Sequence, residues 1–170
     1  MRICFVCLGN ICRSPAAEAV FVHQMAARTH SAGPDEARHH VESAGTAPWH
    51  VGNPAHEGTL REAAARGIAL DHRGQQFGAD DFERFDLVVA MDAGNVSDLM
   101  ELAPDEAART KVVRLGSFAP GVRGAVIAGS EGQDVPDPYG HPQAAFTAMF
   151  DQVETASAGL LDWLAGVAPE

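Results

Sequence analysis

Residues 3–15, ICFVCLGNICRSP, hold the junction on which the fold turns. Ile3 to Cys7 is a short β-branched and aromatic run, and Gly9-Asn10 ends it. Ser14-Pro15 carries helix-start chemistry, with Ser14 as the expected N-cap and Pro15 as the first helical residue. Ala16 to Arg28 then spaces Ala19, Val20, Phe21 and Met25 as an amphipathic helix. The first unit is strand, tight loop, helix. The same alternation continues along the chain. Val41 to Ala44 reads as a second strand ending at Gly45, and Asn53-Pro54 as the start of a helix with Leu60, Ala63 and Ala64 on one face and Gly67 as its stop. Asp86 to Met91, DLVVAM, reads as a buried parallel strand, and Asp92 as the cap of a helix through Val96, Leu99 and Met100. Lys111 to Leu115 supplies a fourth strand, and His141 to Leu164 a long helix with Phe146, Met149, Phe150, Val153, Leu160 and Leu161 on its core face. Ser31 to His40 and Pro120 to Gln133 read as connecting loops.

This order implies an α/β fold, a single-domain doubly wound parallel sheet of four strands with helices on both faces, spanning residues 1–170. Such sheets bind ligands at the carboxyl ends of their strands, where the loop from Cys7 to Ser14 lies. A length of 170 residues suits one domain, and 46% hydrophobic against 21% charged residues suits a protein with a real core. Lys and Arg total 12 against 23 Asp and Glu, a net charge of −11, which disfavours nucleic acid and anionic membranes as partners. An anionic ligand therefore needs a local site. With no apolar run of about 20 residues and no secretory leader pattern, the expected location is the cytoplasm.

The loop CLGNICRS joins a strand to a helix N-terminus, where free amides and the positive end of the helix dipole favour an anion. Gly9 and Asn10 tolerate left-handed backbone, so Leu8, Gly9, Asn10, Ile11, Cys12 and Arg13 are expected to curl into a phosphate cradle. The loop lacks the second Gly and the Lys of G-x-x-x-x-G-K-[ST], which excludes a nucleotide site of that kind. It carries instead a thiol at Cys7 and a guanidinium at Arg13. The helix N-terminus and the neighbouring Arg favour the thiolate of Cys7, Arg13 offers two parallel donors to a phosphoryl group, and Ser14 can donate to the sulfur. Cys4 and Cys7 form C-x-x-C, but positions i and i+3 of a strand point to opposite faces, so Cys4 is read as core. Cys12 reads either as a space-filling thiol or as a redox partner that captures oxidised Cys7 as a disulfide.

The motifs VCLGNICRSPAAE, SAGT at Ser43 to Thr46, DHR at Asp71 to Arg73, MDAGN at Met91 to Asn95 and DPYG at Asp137 to Gly140 together resemble the low-molecular-weight protein tyrosine phosphatases over nearly the whole chain. The resemblance implies hydrolysis of phosphotyrosine in a protein substrate through a phosphocysteine, releasing inorganic phosphate, with no cofactor and no metal. It implies Cys7 as nucleophile, Arg13 as phosphate clamp and Asp137 as general acid, the last expected to be buried in its acid form. It also implies loop support from Asn10, Ser14, Ser43 and His72 and an aromatic wall of Trp49 and Tyr139, with His50 beside it. Trp49 alone reads equally as a hydrophobic plug. Many relatives carry two tyrosines after D-P, whereas Tyr139 is followed by Gly140 and is the only tyrosine here. Related arsenate reductases relay electrons through a further cysteine, and none follows Cys12. Related arginine phosphatases place Thr where this chain has Ile11. A non-catalytic phosphate-binding module is the remaining alternative.

Overall fold

The computed structural model describes residues 1–32, 39–122 and 132–166. Strands β1 (Arg2–Cys7), β2 (His40–Gly45), β3 (Leu87–Ala90) and β4 (Val112–Arg114) form one sheet in the order β2-β1-β3-β4, all parallel. The chain moves outward from β1 to β2 and returns to the other side of β1 as β3. The carboxyl end of β1 is thus the switch point, where a crevice opens between connections that leave in opposite directions. The expected doubly wound sheet is present.

Helices α1 (Arg13–Ala32), α2 (Glu57–Ala65) and α6 (Gln143–Leu164) pack on one face, and α4 (Ala93–Leu102) on the other, with the short α3 (Asp81–Arg84) and α5 (Glu106–Arg109). Strand alternation sorts the core. Ile3, Phe5 and Cys7 join Val20, Phe21, Phe146 and Phe150, whereas Cys4 and Val6 join Phe77, Phe82 and Leu99. Each such buried Val, Leu or Phe contributes roughly 1.5–3 kcal/mol by leaving water. Arg66, which follows α2, ties it to α6 through Glu62, Asp151 and Glu154. Among the described residues, no helix is long and apolar enough to cross a membrane.

Several expectations need correction. The helix predicted from Asn53-Pro54 begins at Glu57, because the His56 backbone amide is held by the Ile11 carbonyl (2.7 Å) and its Nδ1 accepts from Gly58 N (3.0 Å), which makes His56 the cap. Its buried face is Gly58, Thr59, Glu62 and Ala63; Leu60 and Ala64 are exposed. Gly67 does end that segment, at φ +69°. Helices α3 and α5 and a 3-10 turn at Leu115–Phe118 carry too few residues for a periodic signal. Of the two expected loops, Ser31 and Ala32 belong to α1, while residues 33–38 and 123–131 lie outside the described residues.

Candidate active site

Cys7 closes β1 and α1 begins at Arg13, so the loop between them sits at the switch point. Ser14 is therefore inside the helix and is not its N-cap. Its hydroxyl is committed to the loop: it lies 3.0 Å from Cys7 Sγ, accepts from Asn10 Nδ2 (2.9 Å) and donates to the Ala44 carbonyl (3.3 Å). Of the two residues expected in left-handed backbone only Asn10 adopts it, at φ +55°, and Gly9 does not. A side chain at Gly9 would crowd His50 Cδ2 at 3.1 Å, so close packing explains that glycine.

Asn10 supports the loop with all four of its polar atoms. Its amide donates to Cys7 Sγ (3.3 Å), and its Nδ2 donates to both Ser14 Oγ and Ser43 Oγ (3.0 Å). Its Oδ1 accepts from Gln75 N (2.9 Å), and its carbonyl accepts from His72 Nε2 at 2.6 Å. Burial lowers the His72 pKa, against the opposing pull of that carbonyl, so the ring acts as a neutral donor through Nε2. Ser43 donates onward to Glu18 Oε2 (2.6 Å), and burial pushes the Glu18 carboxyl up. Gly45 permits the close approach of the two loops, since a Cβ there would stand 2.7 Å from the Leu8 carbonyl oxygen. The expected supports Asn10, Ser14, Ser43 and His72 thus form one network. Glu18 and Gln75 complete it and were not singled out in the sequence.

The amides of Leu8, Gly9, Ile11, Cys12 and Arg13 find no acceptor among the described residues. Arg13, only 3% exposed, donates through Nη1 to Asp92 Oδ2 and to the Val135 carbonyl (3.0 Å), while its Nη2 stands 3.6 Å from Asp137 Oδ2. Burial opposes its charge, yet its hydrogen bond to Asp92 and the proximity of Cys7 and Asp137 outweigh that and raise its pKa. Asp92 does two jobs: Oδ1 caps α4 by accepting from Asn95 N (2.7 Å), as expected, and Oδ2 anchors Arg13. The second was not legible in the sequence.

Cys7, Leu8, Gly9, Ile11, Cys12 and Arg13 form the floor of a cavity of about 230 Å3, and Trp49, His50, Asp137 and Tyr139 line it as well. The sequence reading expects a buried Asp137. Its side chain is instead 47% exposed, because the turn in which its Oδ1 accepts from Tyr139 N (3.2 Å) lies on the cavity rim. Trp49 is 69% exposed and hence no plug. Tyr139 stands near His50 (ring centroids 6.4 Å apart) and edge-on to His56 (5.6 Å). Cys4 and Cys7 lie in different core clusters, as strand geometry demands, and all three cysteines are free thiols. Burial, then the nearby charges of Asp137 and Cys7, push the Cys12 thiol up to about 12.

A thiol, unpaired amides and a buried guanidinium around one cavity give an α/β fold a site with the chemistry to receive an oxyanion beside a thiol. The family model for low molecular weight phosphotyrosine protein phosphatase matches residues 2–168. The chain is 47% identical over 162 residues to a low molecular weight protein-tyrosine-phosphatase of Streptomyces coelicolor, covering 94% of this chain and 91% of that one. It is 39% identical over 164 residues to low molecular weight protein-tyrosine phosphatase A of Mycobacterium tuberculosis, covering 96% and 91%. A crystal structure of a protein tyrosine phosphatase from Entamoeba histolytica, with Hepes in its active site, superposes with a TM-score of 0.81 at 32% identity over 99% of both chains. The chain belongs to the low molecular weight protein-tyrosine phosphatase family, a family of hydrolases acting on phosphoproteins.

Proposed function

We propose that the chain is one catalytic domain that hydrolyses protein phosphotyrosine in two steps. The thiolate of Cys7 attacks phosphorus, the bond to the phenolic oxygen breaks, and Asp137 delivers its proton to that oxygen. Asp137 then takes a proton from water, which attacks the phosphocysteine, releases inorganic phosphate and restores the thiolate. The carrying observation is the placement of Cys7 Sγ, 3.0 Å from the Ser14 hydroxyl and 3.3 Å from the Asn10 amide, on the floor of the cavity that Arg13 and Asp137 line. Arg13 and the loop amides hold the equatorial oxygens as charge redistributes. Ser14 has one proton to give, and it favours the sulfur whenever the sulfur is charged.

Apolar Ile11, Trp49 and Tyr139 around the cavity favour an aryl ester over phosphoarginine. The test compares the native enzyme with Asp137→Asn on phosphotyrosine, phosphoserine and phosphoarginine peptides and on p-nitrophenyl phosphate. We expect the native enzyme to prefer phosphotyrosine among the peptides. Asp137→Asn should lose about 10²–10⁴ in kcat/KM on phosphotyrosine, whose phenol has a pKa near 10, and much less on the activated ester, whose anion departs unaided. Equal losses on both esters would remove the acid role from Asp137, and faster phosphoarginine cleavage would reassign the substrate.

Cys12 is proposed as the redox partner of Cys7. Peroxide oxidises the Cys7 thiolate to the sulfenic acid, the Cys12 thiol displaces water from it, and a disulfide spares Cys7 from further oxidation. Dithiothreitol should restore activity after mild peroxide in the native enzyme and much less completely in Cys12→Ser. Mass spectra of the inactivated native enzyme without a Cys7–Cys12 link would end this reading and leave Cys12 as a space-filling thiol.

A further inference from the structure

Arg114 ends β4 and is 8% exposed, yet nothing in the two-step reaction uses it. Its Nη1 donates to Asp134 Oδ1 at 2.8 Å, and the same oxygen accepts from the Ala93 amide at 3.0 Å. Ala93 is the first residue of α4, the helix capped by Asp92, and Asp92 is the anchor of Arg13. The chain then runs from Asp134 straight into the site. The Asp134 carbonyl accepts from Gln152 Nε2 (2.8 Å), Val135 N donates to the Met91 carbonyl (2.8 Å), and the Val135 carbonyl accepts from Arg13 (3.0 Å). Asp137 follows two residues later. On the other side the backbone at Gln133 lies so close to Gly116 that a Cβ there would stand 1.9 Å from the Gln133 carbonyl oxygen.

We propose that Arg114 and Asp134 form a positioning pair for dephosphorylation: one carboxylate oxygen fastens β4, the start of α4 and the segment that carries Asp137 into one unit, so that the proton donor and the Arg13 clamp keep their spacing. This rests on the reading of Asp137 as general acid. Neither residue lines the cavity, so the pair acts through the placement of Asp137 and not on the substrate. Because Asp137 is 47% exposed and its own contacts are few, its position depends on what holds the chain just before it. A displacement of about 1 Å at a reacting group costs on the order of 100-fold in rate.

The test is the leaving-group dependence of kcat/KM, which reports the steps through departure of the phenol. Arg114→Met removes the tie without burying a new charge, because Asp134 is 49% exposed and stays solvated. It should lower kcat/KM about 10- to 100-fold on phosphotyrosine and less than about 5-fold on p-nitrophenyl phosphate. Arg114→Met combined with Asp134→Ala should fall within about threefold of Asp134→Ala alone, since Asp134→Ala already removes the bonds from both Arg114 and the Ala93 amide and residues acting as a unit do not add. Asp134→Asn keeps the acceptor oxygen and should stay within about threefold of the native enzyme. Should Arg114→Met not fold, Asp134→Ala compared with Asp134→Asn carries the same contrast. Equal losses on both substrates, losses that multiply in the double variant, or native rates in folded Arg114→Met would each overturn the pair. Asp137→Asn measured alongside separates the two readings. If it shows the leaving-group dependence and Arg114→Met does not, only the pair fails; if it shows none, the acid reading has failed first.

Discussion

Cys7→Ser should abolish hydrolysis of phosphotyrosine, with a loss of at least ~10⁴-fold, while leaving the affinity for inorganic phosphate or vanadate within about tenfold of the native enzyme. The two outcomes separate because the sulfur and the cradle are different parts. A serine hydroxyl is a weak nucleophile unless a base takes its proton, and among the described residues the hydrogen-bond neighbours at this position are the Ser14 hydroxyl and the Asn10 backbone amide, a hydroxyl already shared and a pure donor. The oxyanion contacts depend instead on Asn10, whose φ of +55° and hydrogen bonds to Ser14, Ser43 and Gln75 shape the loop whatever atom ends the Cys7 side chain. Steady-state assay and phosphate inhibition or calorimetry on the same preparation check both halves. Substantial residual hydrolysis would remove Cys7 from the nucleophile role, and loss of phosphate binding would mean that the thiolate, and not the amides, organises the cradle.

The parts of the site that lie within a few residues of one another were legible in the sequence. Cys7, Asn10 and Arg13 share one strand-to-helix connection, and residue chemistry at fixed short spacing constrains what such a connection can hold. The partners that hold them come from far along the chain. Asp92 is 79 residues from Arg13, and as a sequence feature it reads only as a helix cap, because a cap uses one carboxylate oxygen and hides the other. Glu18, the sixth residue of α1, carries no local signal of its role, because its partner Ser43 comes from β2. Ser14 departs from its expected cap role for the opposite reason: Ser-Pro is a strong local signal for a helix cap, and the pull of the Cys7 sulfur, the Asn10 side-chain Nδ2 and the Ala44 carbonyl outweighs it. The helix expected at Asn53 failed likewise, since its start is set by a backbone bond to Ile11 from 45 residues away. The sheet itself was legible because a parallel sheet covered on both faces writes apolar runs into its inner strands, here β1 and β3, while the edge strand β2 carries His40, Glu42 and Ser43.

Arg13→Lys keeps the charge and should still lose about 10²–10³-fold in kcat/KM, with weaker phosphate inhibition. The argument is one of counting donors in a buried place. Arg13 is 3% exposed, and its Nη1 is already taken by Asp92 and by the Val135 carbonyl. The guanidinium can serve those structural partners and still present Nη2 and Nε to a phosphoryl group in a fixed planar fork. A lysine ammonium has three donors on one atom at the end of a flexible stem. If it stays with Asp92 it does not reach two phosphoryl oxygens, and if it turns to the phosphate it leaves Asp92 and the Val135 carbonyl unserved. Losing one preorganised donor to a developing oxyanion costs about 2.7–4 kcal/mol in transition-state stabilisation, which is the predicted range. The loss should be similar for phosphotyrosine and p-nitrophenyl phosphate, because the clamp acts on the phosphoryl group common to both. That sets it apart from Asp137→Asn, whose loss tracks the leaving group. Near-native rates in Arg13→Lys would show that charge alone suffices and that the fork is not used, and a loss confined to the poorer leaving group would move Arg13 from clamping phosphate to positioning Asp137.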